Sequence, residues 1–313
     1  MFLPRPTNSL QAATRIRWYS VATTGGTVDP AQYCRDFVQK HDYESFLISH
    51  FYPKEFQGGY FALKAFSAEL AMVQDAVTNS TIGAMRMQFW RDAVKSISEG
   101  RPPRHPIAMA LHDTSQVANL PPYHLKRMID ARDAELQLPV HLTTDSLTAH
   151  AESTSSTTLY ALLSMLSLHS ETLSHAASHV GVAQTITTLL RALPFHARHG
   201  RMVIPADITS KHGVVQEEVF RNGGQAQGID DAVFEFATLA NDHLITARSM
   251  FKEEGLEGKV PQQAMAVFLA GVPASSILKR LEELNFDVFH PKLQLREWKL
   301  PWKIWKSYYT RMF

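Results

Sequence analysis

Residues Gly181–Asp207 read GVAQTITTLLRALPFHARHGRMVIPAD. Val182, Ile186, Leu189, Leu190 and Leu193 recur at helical spacing and form one apolar stripe. Arg191, His196, Arg198, His199 and Arg201 crowd the C-terminal end, where a helix dipole favours cations. Met202-Val203-Ile204 then reads as a short extended run that stops at Pro205. A buried helix that ends in a polar cluster is expected to form the wall of a pocket. Whether that pocket performs chemistry decides the function.

Outward from this stretch, which predicts a helix over 173–197, helical periodicity continues in both directions. Upstream, Pro30 opens a segment over 31–52 that stops at Pro53, and further helices are expected over 56–77, 81–98, from Pro106 to before Pro121, 122–138 and 145–168. The 56–77 segment is strongly apolar through Phe61, Leu63, Phe66, Leu70, Met72 and Val73. In 81–98 the apolar face is expected to be Ile82, Met85, Phe89, Ala93 and Val94. Downstream, helices are expected over 215–222, 229–254, 261–270, 274–284 and 299–312. The run 202–204 is too short to build a sheet, and alternating strand–helix patterning is missing. The fold class is therefore all-α, a single bundle of about ten helices over 30–313.

The composition is that of a globular protein: 313 residues, 45% hydrophobic and 19% charged. No apolar run approaches the ~20 residues of a membrane-spanning helix. The single cysteine, Cys34, excludes an internal disulfide and fits a reducing compartment. A formal charge of +1 argues against a large nucleic-acid footprint. The charge is unevenly placed: residues 1–20 carry Arg5, Arg15 and Arg17 with Thr7, Ser9, Thr14 and Ser20, and the first acid is Asp29. A basic, hydroxyl-rich, acid-free leader with a weak amphipathic turn (Leu10, Ala13, Ile16) is the pattern of a mitochondrial transit peptide. Arg17-Trp18-Tyr19-Ser20 resembles a matrix processing site cut after Tyr19. The expectation is a leader over 1–19 and a linker over 20–29, set against a merely disordered N-terminus.

Motifs for metal or nucleophilic chemistry are weak. His175 and His179 are spaced for two imidazoles on one ion, but Ala176 stands where a zinc protease needs Glu. His196 and His199 are discounted similarly, and no metal site is expected. Asp130, Arg132, Asp133 and Glu135 read as a solvated helix face with local ion pairs, with an acid at a pocket rim as the alternative. Glu152 with Ser153–Ser156 either lines a pocket or caps a helix. There is no GxxxxGK phosphate loop. In the tail, Trp298, Trp302, Trp305 and Tyr309 recur on one helical face, flanked by Lys299, Lys303, Lys306 and Arg311. That pattern suits a membrane interface, with Trp298, Trp302, Lys303, Trp305, Lys306 and Tyr309 as its candidates. Equally, it suits a terminal helix docked on the core by its tryptophans.

Several stretches, in order, resemble the squalene/phytoene synthase family of all-α isoprenoid synthases. ALKAFSAELAMVQDAV (62–77) looks like the family's first aspartate-rich helix, MRMQFWRDAV (85–94) like its Trp-Arg helix, and HPIAMALHD (105–113) like the segment that follows. Gly181–Asp207 looks like the second aspartate-rich helix with its Gly-Arg-x-x-x-Pro. Active members hold two prenyl diphosphates through Mg²⁺, because facing carboxylates must carry the ions that neutralise a polyanion. Here the first motif reads Ala71, Met72 and Asp75, with Ala68 at its arginine position. The second reads Thr188, Ala192, Phe195 and His196 at its amide and acid positions, while Arg191, Gly200, Arg201 and Pro205 persist. Glu69 lies about 200° round the helix from Ala71 and is a poor substitute. The resemblance thus implies a pseudoenzyme with no cofactor and no metal, and a degenerate pocket marked by Phe66, Glu69, Asp75, Arg191, His196 and Arg201.

AFSAEL, TIGAMRMQFWRDAV, HAASHVGVAQTITTLLRALPFH and FDVFHPKLQ (286–294) resemble one mitochondrial branch of that family, whose members serve the assembly of respiratory complex I. The resemblance implies a peripheral protein on the matrix side of the inner membrane, with complex I assembly intermediates, at the stage of an early membrane-arm subunit, as partners. Two alternatives stay open: a divergent prenyl transferase, and an isoprenoid- or lipid-binding protein using the same pocket.

Overall fold

The computed structural model describes residues 29–313 apart from 78, 254 and 256. The expected leader, and the linker up to residue 28, lie outside the described residues. The described chain is helical throughout, with no strand. The first half comprises α1 (Pro30–His41), α2 (Tyr43–Ser49), α3 (Lys54–Ala76), α4 (Ser80–Ser98), α5 (Pro106–Val117), α6 (Pro122–Gln137), α7 (Thr144–Ala151) and α8 (Thr157–Met165). The second half comprises α9 (Glu171–Arg198), α10 (Ala206–Lys211), α11 (Gln216–Asn222), α12 (Ile229–Glu253), α13 (Met265–Phe268), α14 (Gly271–Glu283), α15 (Pro291–Gln294) and α16 (Leu300–Thr310). These segments outnumber the expected helices because the short α10 and α15 had no expected counterpart, and two expected helices are broken.

Each break has a local cause. Asp42, at φ −139° and ψ 68°, ends α1, and its carboxylate accepts from the Ser45 amide at 3.1 Å to start α2. The expected helix over 145–168 is interrupted by a π-helical turn, Glu152–Ser156. This turn rides directly on α9. A Cβ on Gly181 would stand 2.5 Å from Ser156 Cα and N, so only glycine permits the approach. The Ser156 hydroxyl donates to the Ser178 carbonyl at 2.9 Å and fixes the crossing. The run 202–204 forms no strand, and Met202 and Ile204 plug into the core instead.

Helix α9 is the axis of the bundle. It starts at Ser170, whose hydroxyl accepts from the Leu173 amide. It packs along α12, with α14, α8 and the π turn on its other sides. Buried Ala176, Ala177, Gly181 and Ala183 keep those crossings close, and Ile186, Leu190 and Leu193 fill the core further on. Helix α3 packs against α1, α5 and α8. On α4 the buried face is Gly83, Met87, Trp90, Ala93, Val94 and Ile97, whereas Ile82, Met85 and Phe89 are exposed, which corrects the expected face. Trp90 decides the orientation, meeting Phe66 edge-to-face at 5.1 Å and His105 at 4.9 Å.

No single helix among the described residues is long and apolar enough to cross a membrane; the bent pair 262–268 and 271–283 passes by length and composition, and much of it is core. Helix α16 closes the chain. Leu300 and Ile304 are buried, Tyr308 packs on Phe51 at 4.9 Å, and Phe313 inserts beside Gly271, Phe251 and Phe268.

Candidate functional site

Helices α3 and α9 face each other across a cavity of about 450 Å³. The α1–α2 junction, the end of α6, the connector 138–143, the π turn and residues 201–203 complete its walls. Helix α3 contributes Ser67, Ala68, Ala71, Met72 and Asp75, and α9 contributes Gln184, Thr185, Thr188, Leu189, Arg191 and His196. A smaller cavity of about 280 Å³ lies toward α14 and α15 and shares Asp42, Glu44 and Arg191 with the larger one. The Glu44–Arg191 pair therefore stands in the partition between them.

The larger cavity is charged but internally neutralised. Four carboxylates line it, each held by a cation that also lines it. Lys64 Nζ lies 3.5 Å from Asp42, and Arg132 donates to Glu135 Oε2 at 2.7 Å. Arg191 donates to Glu44 and Arg201 to Asp75. The Glu44 pair ties α2 to α9, and the Asp75 pair ties α3 to the run after α9. Arg201 also meets His196 Nδ1 at 2.9 Å. Burial, reinforced by the Arg201 charge, holds the His196 imidazole below the usual histidine range, so its ring nitrogen is free to accept.

Of the residues singled out from the sequence, Asp75, Arg191, His196 and Arg201 line this cavity. Phe66 does not: it is fully buried on another side of α3, against Trp90. Glu69 points toward Tyr33 and Arg86, and burial, opposed by Arg86, raises its carboxyl. The charge run in α6 divides in two. Asp130 and Asp133 bind Arg91 of α4, at 3.0 and 2.7 Å, whereas Arg132 and Glu135 turn into the cavity rather than solvent. Glu152 joins a separate network, accepting from the Tyr160 hydroxyl at 3.0 Å and from Ser178. His175 is exposed, and His179 turns instead to His243 of α12, Nδ1 to Nδ1 at 2.8 Å. Asp42, Glu44, Lys64, His141 and His150 carried no local signal: their partners stand on other elements.

The tail presents a second surface. Trp298, Trp302, Trp305 and Tyr309 are 77%, 67%, 48% and 66% exposed, while α16 docks through Leu300 and Ile304. The helix is thus held to the core by its aliphatic face and shows its tryptophans outward. Trp302 meets Trp305 in a T-shaped arrangement at 5.7 Å, and Trp305 meets Tyr309 at a tilt at 4.9 Å. Lys299 sits 5.3 Å from the Trp298 ring, and Lys306 is exposed. Lys303 is turned inward onto Glu297 and the Ser276 hydroxyl.

The squalene/phytoene synthase family model matches residues 38–299. Complex I assembly factor 6 of Rattus norvegicus is 39% identical over 285 residues, covering 91% of this chain and 84% of the rat protein. The Homo sapiens protein of the same name is 37% identical over the same length and shares. Among solved structures, a dehydrosqualene synthase in complex with ligand superposes with a TM-score of 0.73 at 17% identity, over 90% of this chain and 96% of that one.

Proposed function

Because this chain belongs to the squalene/phytoene synthase family, and within it to the complex I assembly factor 6 proteins, we propose that it is a non-catalytic assembly factor for mitochondrial respiratory complex I built on a synthase scaffold. The pairing of the cavity's acids carries the non-catalytic half of this reading. Clamping Mg²⁺ on two diphosphates takes several carboxylates, unpaired and facing one another across the cavity. The cavity's acids are Asp42, Glu44, Asp75 and Glu135, and each is committed to a protein cation. Freeing them would leave Lys64, Arg132, Arg191 and Arg201 unpaired beside the incoming ions. On the α3 and α9 walls, Ala68, Ala71, Met72 and Thr188 offer no anionic ligand. The residues present do not fit Mg²⁺, and the arginine–carboxylate pairs bridge the walls in its place.

In this reading the protein acts on the matrix side of the inner membrane, at an early step of membrane-arm assembly, with an early membrane-arm subunit as its client. The outward aromatic face of α16 and its lysines support peripheral attachment, since indoles favour headgroup depth and lysine stems snorkel. The leader over 1–19 is the import signal. The non-catalytic reading is tested by incubating the purified protein with farnesyl or geranylgeranyl diphosphate and Mg²⁺. No condensation or diphosphate release is expected. Turnover in the ordinary enzymatic range of about 1 s⁻¹ or more would overturn it and favour a divergent prenyl transferase.

A further inference from the structure

At the end of α6 the cavity wall brings Glu135 of the charge run together with two histidines that no sequence motif announced. Glu135 lies in the last turn of α6, His141 on the connector and His150 in the last turn of α7. One ligating atom from each lies within 4.8 Å of the others, and His150 Nε2 is 3.6 Å from Glu135 Oε2. We propose that Glu135, His141 and His150 form a binding site for a borderline divalent transition-metal ion of the zinc type, distinct from any magnesium clamp.

The donor set selects the ion. Two imidazoles and one carboxylate suit Zn²⁺ and its neighbours, whereas Mg²⁺ prefers oxygen ligands and keeps its waters. Tetrahedral ligands about 2.0 Å from zinc stand roughly 3.3 Å apart, close to the 3.6 Å between His150 Nε2 and Glu135 Oε2 and within about 1.5 Å of the widest separation in the group. Neither imidazole has a hydrogen-bond partner among the described residues. Burial holds both rings in the neutral form that ligates, with His150 brought down to about 4. Glu135 is held below the usual carboxylate range: burial pulls its carboxyl up, but the charge and hydrogen bond of Arg132 outweigh that.

The backbone around the group is fixed. The Ala206 amide donates to the His141 carbonyl and the Asp207 amide to the Leu142 carbonyl, both at 3.1 Å, and Asp207 Oδ2 accepts from the Thr144 amide at 2.7 Å. The end of the Gly181–Asp207 stretch thereby pins the connector that carries His141. Arg132 occupies Oε2 of Glu135 and leaves Oε1 without a hydrogen-bond partner among the described residues. It orients the carboxylate as outer partners of metal ligands do, and its charge lowers the affinity for a cation. Three protein ligands leave a fourth position that opens on the cavity, where water or an anionic group completes the sphere.

The probes are Zn²⁺ and Co²⁺, added alone to the purified chain. Titration calorimetry is expected to give one Zn²⁺ per chain, and Co²⁺ the visible bands of a four-coordinate nitrogen–oxygen site. His141→Ala and His150→Ala each weaken binding at least tenfold and remove those bands, while a His175→Ala/His179→Ala control leaves both unchanged. His141 is on a connector and only half buried, so its variant is expected to keep the wild-type circular dichroism and Tm. Should His150→Ala unfold, His141→Ala and Glu135→Gln decide the matter. Equal affinity in the His141 variant, binding lost only in the control, or no binding of either ion at micromolar concentration overturns the site. None of these outcomes depends on the assembly role.

Discussion

Replacing Trp302, Trp305 and Tyr309 together with alanine removes the outward face of α16 without touching Leu300 or Ile304, which hold the helix to the core. An aromatic side chain offers about 150–250 Å². At exposures of 67%, 48% and 66%, the three present roughly 350 Å² to solvent. Rings at headgroup depth bury only their outer edges. Immersion of about a third of that area, at ~25 cal/mol per Å², stabilises the bound state by about 3 kcal/mol. That corresponds to roughly a hundredfold in partitioning. Exposed Lys306 and Lys299 add about 1 kcal/mol each on an anionic surface, and salt screens that part. The assay is flotation with vesicles containing a tenth to a third anionic lipid. Wild type is expected to float with them and less so at 1 M salt, and the triple variant to remain at the bottom with an unchanged Tm. A folded triple variant that floats like wild type would show that this face does not bind membranes, and wild type that binds neutral and anionic vesicles equally would deny the lysines their part.

Gly181→Ala forces a Cβ to within 2.5 Å of the Ser156 backbone, so a loss of at least about 1–3 kcal/mol is expected in urea titration; Gly200→Ala, at φ +67° with open space around it, costs only about 1–2 kcal/mol. Cys34 is fully buried, and burial pushes its thiol up to about 12; it is expected to stay unlabelled by iodoacetamide at pH 8 until the chain is unfolded, and rapid native labelling would contradict its packing. His179 and His243, 2.8 Å apart, are both held below 6.5, by burial first and then by neighbouring imidazoles. The unfolded chain then takes up protons first as pH falls below about 6.5, so stability drops in that window, and His179→Gln is expected to flatten the slope of ΔG against pH. A slope unchanged by that variant would place the acid sensitivity elsewhere.

The helical character of the chain was legible because burial imposes a period and prolines mark the ends. The long axis over 173–197 and the limits of α3, α4 and α6 match the structure to within about two residues. What periodicity could not choose was the face of α4, since apolar residues surround that helix and only Trp90, meeting Phe66 and His105, fixes which side turns in. The cavity's chemistry was still less visible. Arg191 finds Glu44 147 residues away and Arg201 finds Asp75 126 away, so no local spacing announces either pair. Glu135 looked like part of a solvated charge run because its neighbours Asp130 and Asp133 turn away from the cavity, to Arg91, and Asp130 does face solvent. In the tail, the balance between docking and display turned on Leu300 and Ile304, two aliphatic residues that outcompete the tryptophans for the core.

That a synthase scaffold with self-neutralised charges serves assembly rather than catalysis is tested by native electrophoresis of respiratory complexes, with in-gel activity, from mitochondria of cells that lack the protein and of the same cells carrying it again. Complex I is expected to fall selectively, with the other respiratory complexes intact, and to return on re-expression. A uniform loss of respiratory complexes, or none, would contradict it.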